Sequence, residues 1–173
     1  MPATSVRWCP AYVGIGSNLE SPQQQVEAAI RDLSALPDTV VTRSSSLFRS
    51  APFGPIEQGD FVNAVAAIMT QLTAHQLLTE LRTIEDNHGR TRDGERWGPR
   101  TLDLDLLVFS DEQIADDVLT VPHPGISERN FVLLPLNELA PHLIVPGQGS
   151  VATLTHAVKG SGGRIERIHE AST

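Results

Sequence analysis

Lysine is almost missing from this chain: Lys159 is the only one among thirteen basic residues, against 21 acidic ones. The formal net charge is −8 at pH 7, so the basic face that non-specific nucleic-acid binding requires is not there. Cysteine is limited to Cys9. That excludes an intramolecular disulfide and suits a reducing cytosol. No apolar run approaches the roughly eighteen residues of a membrane span, and positions 1–10 lack the apolar core of a signal peptide. The expectation is a cytoplasmic protein with neither nucleic acid nor membrane as partner. The 173 residues suffice for one domain with a real core. There is no internal repeat and no linker long enough to divide it, so 1–173 is read as one unit with a loose lead-in at 1–9.

What the chain does contain is concentrated at Arg96-Trp97-Gly98-Pro99-Arg100-Thr101-Leu102-Asp103-Leu104-Asp105-Leu106-Leu107-Val108-Phe109. From Leu102 this reads as a strand. Alternation puts Leu102, Leu104 and Leu106 on one face and Asp103, Asp105 and Leu107 on the other. Two carboxylates side by side are costly in mid-sheet unless a cation neutralises them. Oxygen donors at this spacing suit Mg²⁺, and a pair of ions about 3.5–4 Å apart could be bridged from here. Alone, an Asp-x-Asp on a strand is more often what a solvated edge carries. The residues upstream change that balance. Arg90, Arg92, Arg96 and Arg100 sit among Gly89, Gly94, Gly98 and Pro99, and arginine forks match phosphate oxygens bidentately. An arginine island in an acidic protein suits a compact anion such as a polyphosphate with its magnesium ions. Pairing with Asp93 and Glu95 is the ordinary alternative for Arg92 and Arg96.

The rest of the chain supplies a frame. Residues 11–16 read as a first strand whose glycines allow close backbone approach. Ser21-Pro22-Gln23-Gln24 reads as a helix start with a capping box, followed by Val26, Ala29, Ile30, Leu33 and Leu36 at helical spacing until Pro37. Residues 40–49 form a second strand and 51–55 a stiff loop. Residues 61–70 form a third, with Phe61, Asn63, Val65, Ala67 and Met69 on one face. Asn63 there needs a hydrogen-bond partner, from the protein or a ligand. Thr73 caps a helix over 74–87 that Gly89 ends. Residues 119–121 suggest a short strand before Pro122-His123-Pro124, where the prolines stiffen His123 on its loop. A third helix starts at Ser127 or Glu128, a short one spans 151–158, and 164–168 is a last strand. Strand–helix–strand–strand–helix–strand through residue 109 predicts an α+β ferredoxin-like sandwich, a mainly antiparallel sheet with helices packed on it. That fold hosts unrelated chemistries and decides nothing about function.

On these residues the chain resembles the 6-hydroxymethyl-7,8-dihydropterin pyrophosphokinase family of folate biosynthesis. The carrying motif is the decapeptide Arg96 to Asp105. It is joined by Gly14-Ile15-Gly16-Ser17-Asn18-Leu19, Phe61-Val62-Asn63-Ala64, Ile84-Glu85 with Gly89-Arg90, and Val121-Pro122-His123 with Arg129 and Phe131. The resemblance implies transfer of pyrophosphate from ATP to the hydroxymethyl group of 6-hydroxymethyl-7,8-dihydropterin, releasing AMP, with two Mg²⁺ held by Asp103 and Asp105. It implies Arg90 and Arg100 as catalytic arginines. Glu85, Arg92, Trp97, Leu106, Thr120, His123 and Arg129 would lie at ATP. Ser50, Pro52, Phe53, Phe61, Asn63, Trp97 and Phe131 would lie at the pterin, the two phenylalanines Phe61 and Phe131 as a stacking pair. The expected assembly is a monomer. Arg82, Val118 and Pro124 depart from the family pattern beside ATP.

Two rival readings share parts of this pattern. A polymerase-like nucleotidyltransferase would use the same topology and carboxylates but release pyrophosphate, and would carry a basic template face. A non-catalytic ferredoxin-like ligand-binding module would not need the carboxylate pair together with the arginine stretch.

Overall fold

The computed structural model describes residues 5–52, 54–89 and 101–169. The elements run β1 (Cys9–Ser17), α1 (Pro22–Ser34), β2 (Thr39–Ser44), β3 (Phe48–Ser50), β4 (Phe61–Thr70), α2 (Ala74–Asn87), β5 (Asp103–Phe109), β6 (Ile114–Ala115) and β7 (Thr120–Val121). After a 3-10 turn (Ile126–Glu128) come α3 (Asn130–Leu139), β8 (Ile144–Val145), β9 (Gly149–Ser150), α4 (Val151–Val158) and β10 (Ile165–Arg167). The main sheet has the order β10-β3-β4-β1-β5, with β2 continuing along β4 beyond β3. Every pairing is antiparallel, the order expected of the sandwich predicted from the element sequence.

Alternation along the strands builds two cores. Val13, Ile15, Ala64, Ala66, Ile68, Leu104 and Leu106 turn toward α1 and α2, where Val26, Leu33, Leu77 and Leu81 meet them. The opposite face carries Val65, Leu107 and Val108 under Leu133 and Leu136 of α3 and Val151 and Val158 of α4. Helices therefore cover both faces: the two predicted before residue 109 on one, the two later ones on the other.

The apolar run at the end of β5 is divided between these cores by a bulge. Val13 pairs with Leu106, but its neighbour Tyr12 pairs with Val108, so Leu107 is an extra residue. Leu107 and Val108 then both face α3, while Phe109 returns to the α1–α2 side. Bulges of this kind re-aim a strand beside functional sites.

Two local expectations change. The predicted strand over 40–49 is two strands, because the Ser45 hydroxyl takes the Val65 N–H at 2.9 Å in place of a backbone carbonyl. Ser21 does precede α1, but with φ 63° it is left-handed and its side chain caps nothing, so the predicted capping box does not form. Gln25 N–H instead bonds the Ser21 carbonyl at 3.1 Å. At α2 the expectation holds: Thr73 Oγ1 accepts from Gln76 N–H and the Gln76 side chain accepts from Thr73 N–H. Thr73→Ala should accordingly lower stability by about 1 kcal/mol. Ser21→Ala should change it by less than about 0.5 kcal/mol. Chemical denaturation of both variants checks the contrast.

Candidate active site

Two glycines of β1 form the floor of the site. Gly16 lies between Asn63 of β4 and Asp103 of β5, and Gly14 between Val65 and Asp105. Directly opposed antiparallel residues share a face, so Asn63, Asp103 and Asp105 stand on the α3 side with bare backbone between them. A Cβ at Gly16 would come 3.1 Å from Asn63 Oδ1, and one at Gly14 would touch Leu107 at 3.4 Å. The glycines leave room for the Leu107 side chain and the Asn63 amide to lie against β1.

Asp105 faces two cationic or polar groups from the loop after β7. His123 Nε2 is 3.9 Å from its Oδ1, and Arg129 Nη1 is 4.0 Å from its Oδ2. His123 is held by the bulge, since its N–H donates to the Leu107 carbonyl at 2.8 Å. Its Nδ1 accepts from Gly125 N–H at 3.0 Å. Burial lowers the His123 pKa to about 4, aided by the charge of Arg129 and opposed by Asp103. The ring is thus neutral near pH 7, with Nδ1 as acceptor and Nε2 carrying the proton toward Asp105. Arg129 lies over the Phe131 ring, 5.9 Å from its centroid. It can do so because residue 125 has no side chain: a Cβ there would meet Arg129 Nε at 2.7 Å.

Beside Asp105 opens a cleft of about 210 Å³, lined by Leu104, Leu106, Val118, Thr120, His123 and Pro124 among others. Leu106, Thr120 and His123, separate in sequence, meet here. One carboxylate shapes this wall. Asp116 Oδ1 accepts from Val118 N–H and Leu119 N–H at 2.8 Å each, while Oδ2 takes His75 Nε2 at 2.8 Å. Those backbone bonds, Val118 first, hold its pKa below the usual carboxylate range. Asp116, though exposed, is thereby tied into the wall by three bonds.

Glu85 is only 4% exposed, and its Oε2 accepts from Leu104 N–H at 3.0 Å. It caps the outer edge of β5 between the two aspartates. The end of α2 is tied to α1, with His88 Nδ1 2.6 Å from Gln25 Oε1 and Nε2 2.6 Å from Asp32 Oδ2. Ser17, fully buried, donates from its hydroxyl to the Thr101 carbonyl, where the described chain resumes.

On the β3–β4 side, Asn63 Nδ2 donates to Ser50 Oγ at 2.6 Å, which answers the demand for a partner. Both residues are buried, while Pro52, Phe61 and Phe131 are half-buried. Phe131 opens α3, which packs over β3 and β4. Phe53, Arg90, Arg92, Trp97 and Arg100 lie outside the described residues. Sequence reasoning did not single out Gly125, Asp116 as a wall-former, or the bulge. The Pro124-Gly125 pair was the only local signal for the first.

Magnesium suits this donor set. Asp103 and Asp105 offer hard oxygens, and among the described residues no three His, Cys, Asp or Glu gather into a protein-only site. Mg²⁺ prefers that arrangement, keeping places for phosphate and water. An α+β sandwich with paired strand carboxylates beside a cleft fits the layout of a phosphotransferase.

The comparisons make that class specific. The family described as 7,8-dihydro-6-hydroxymethylpterin-pyrophosphokinase matches residues 12–141. A 2-amino-4-hydroxy-6-hydroxymethyldihydropteridine pyrophosphokinase of Haemophilus influenzae is 44% identical over 144 residues, covering 83% of this chain and 89% of that one. One from Pseudomonas aeruginosa is 45% identical over 157 residues, covering 91% and 95%. In fold, the chain is similar to a Plasmodium falciparum HPPK-DHPS crystal structure with pterin and p-hydroxybenzoate. The TM-score is 0.68 at 13% identity, over 89% of this chain and 44% of that one, so the chain spans less than half of that protein. This chain belongs to the 7,8-dihydro-6-hydroxymethylpterin-pyrophosphokinase family and is an enzyme of the diphosphotransferase type.

Gly125→Ala tests the geometry around Asp105. Its φ of −91° accepts alanine, so the fold should persist while Arg129 is pushed from its place. Turnover should fall about tenfold or more, the scale of one charge-assisted bond. Steady-state kinetics beside thermal unfolding read it.

Proposed function

We propose that this chain transfers the β,γ-pyrophosphoryl group of ATP to the hydroxymethyl oxygen of 6-hydroxymethyl-7,8-dihydropterin across the β5–β1–β4 face. We read it as a single domain acting as a monomer in the cytoplasm. The observation that carries the site assignment is the position of Asp105: on one face with Asp103, facing His123 and Arg129, and in the wall of the cleft. The monomer reading draws on exposed large apolar residues that fall on separate segments, such as Leu19, Val40, Val118 and Ile144. No helix among the described residues is long and apolar enough to cross a membrane.

The pterin hydroxyl attacks the β-phosphorus, the bond from that phosphorus to the α–β bridging oxygen breaks, and AMP leaves. Such transfers depend on positioning and charge neutralisation rather than covalent intermediates. Two Mg²⁺ bound by Asp103 and Asp105 would supply the charge that neutralises the triphosphate and its transition state. Leu106 and Thr120 receive the base and sugar end of ATP in the cleft. Arg90, Arg92 and Arg100, with Trp97, act from the motif upstream of β5. Arg129 adds a cation on the phosphate side, and His123, neutral, donates through Nε2–H. Glu85 acts on ATP through the strand it holds, since its carboxylate is turned to the Leu104 amide.

The pterin lies toward β3 and β4. Phe61 and Phe131 supply ring faces, and Asn63, backed by Ser50, reads the edge, with Pro52 and Phe53 closing the side. A flat ring rich in amide groups needs both kinds of contact.

Product analysis tests the reaction: Mg²⁺-dependent formation of AMP with the pterin diphosphate is expected, and release of inorganic pyrophosphate from ATP would contradict it. Asp103→Ala and Asp105→Ala should each nearly abolish turnover with the fold intact; near-normal activity in either at saturating Mg²⁺ would remove the metal role. Asn63→Ala should weaken pterin binding by about 1–3 kcal/mol, the cost of an unpaired polar group. Phe131→Ala should do likewise with ATP affinity nearly unchanged. Calorimetric titration alongside thermal unfolding separates this from a core role, which would appear as about 3–5 kcal/mol of lost stability.

A further inference from the structure

The family match ends at residue 141, yet the chain beyond it returns to the pterin side. After α4, residues 160–168 cross the end of the molecule as a strap. Its strand β10 adds to β3, with Ile165 opposite Ser50 and Arg167 opposite Phe48. The strap residues before that pairing are exposed, so core burial does not explain their bonds.

Three groups on two strap residues bond outward. Gly163 gives its carbonyl to Asn130 Nδ2 at 2.8 Å, immediately before Phe131. Arg164 gives its carbonyl to Ala51 N–H at 2.9 Å, between Ser50 and Pro52. The Arg164 guanidinium meets both oxygens of Asp60 at 2.9 Å, immediately before Phe61. Gly162 is needed for the first bond, since a Cβ there would come 2.7 Å from Asn130 Cγ and collide with Nδ2. The strap thus grips the residue next to each proposed ring face, and the residue beside the Ser50 that backs Asn63. The neighbours of Phe61 and Phe131 are held by one short piece of chain, although the two rings come from different layers.

We infer that Gly162–Gly163–Arg164 is a positioning element for the pterin, setting the spacing between the Phe61 and Phe131 walls. This rests on the reading of those two phenylalanines as the pterin's stacking pair. None of the three strap residues touches substrate, so they act through Asn130, Ala51 and Asp60. Further along, Arg167 ties the same strap to Ser46 Oγ at 2.9 Å and lies 4.0 Å from Glu138 Oε2, away from both rings. It is the natural control for mere attachment of the strap.

The test uses the full chain and measures dissociation constants for the pterin and for a non-hydrolysable ATP analogue, with unfolding temperature alongside. Gly162→Ala and Arg164→Ala should each weaken pterin binding about three- to tenfold, the equivalent of one lost bond, with ATP-analogue affinity within about twofold. Arg164→Lys should recover part of the loss, and Arg167→Ala should leave pterin affinity unchanged. Asn130→Ala removes the same bond as Gly162→Ala should that variant fold poorly. Parallel loss of both ligands, or a loss as large in Arg167→Ala, would reduce the strap to general stability and overturn the inference. Phe131→Ala is run beside them. If it weakens the pterin while the strap variants do not, the inference alone fails; if Phe131→Ala leaves pterin affinity intact, the stacking reading fails with it.

Discussion

Two negative charges on one face of one strand are the constraint from which the site follows. Asp103 and Asp105 repel each other and gain nothing from burial, so the surroundings must either dilute or neutralise them. The structure does the second. It leaves them half-exposed, sets Arg129 and the Nε2–H of a neutral His123 toward Asp105, and clears the floor beside them with Gly14 and Gly16. A cation accompanied by phosphate suits such an arrangement.

The backbone is bent to the same end. The extra residue in β5 sends Leu107 and Val108 into the core under α3 and frees the Leu107 carbonyl to hold His123. On the outer edge, Glu85 fixes the Leu104 amide between the aspartates. The strand is therefore gripped on both sides of its carboxylates, by β1 through the ladder and by a buried side chain from α2. Rigid support of this kind is what keeps acidic groups within the narrow geometry that phosphoryl-type transfer demands.

Much of this was legible from residues alone, for identifiable reasons. The face alternation of residues 102–107 is a period-two pattern with strong apolar contrast, while 61–69 is apolar on both faces but for Asn63; in both the alternation survives folding unchanged. The helix over 74–87 carried a threonine cap and a terminating glycine. Ser21 carried the same local signal at α1, and there the left-handed turn at Glu20 and Ser21 overrode it. A bulge leaves no mark in an unbroken apolar run such as Leu106 to Phe109, since any of those residues packs on either face. Gly125 and Asp116 matter through Arg129 and through the Val118 and Leu119 amides, contacts that composition does not announce. The strap at 160–168 reads in sequence as a polar tail with a short strand, and its partners Asp60 and Asn130 lie about a hundred and about thirty positions away.

The claim that organises the rest is that Asp103 and Asp105 hold metal and nucleotide together. Manganese in place of magnesium makes this directly visible, because its paramagnetic resonance changes when it is bound. Titrating Mn²⁺ into the wild-type chain with a non-hydrolysable ATP analogue should show tight, nucleotide-dependent binding. The same titration should show marked weakening in Asp103→Asn and again in Asp105→Asn. Mn²⁺ and nucleotide held as tightly by the doubly substituted protein as by the wild type would contradict the account.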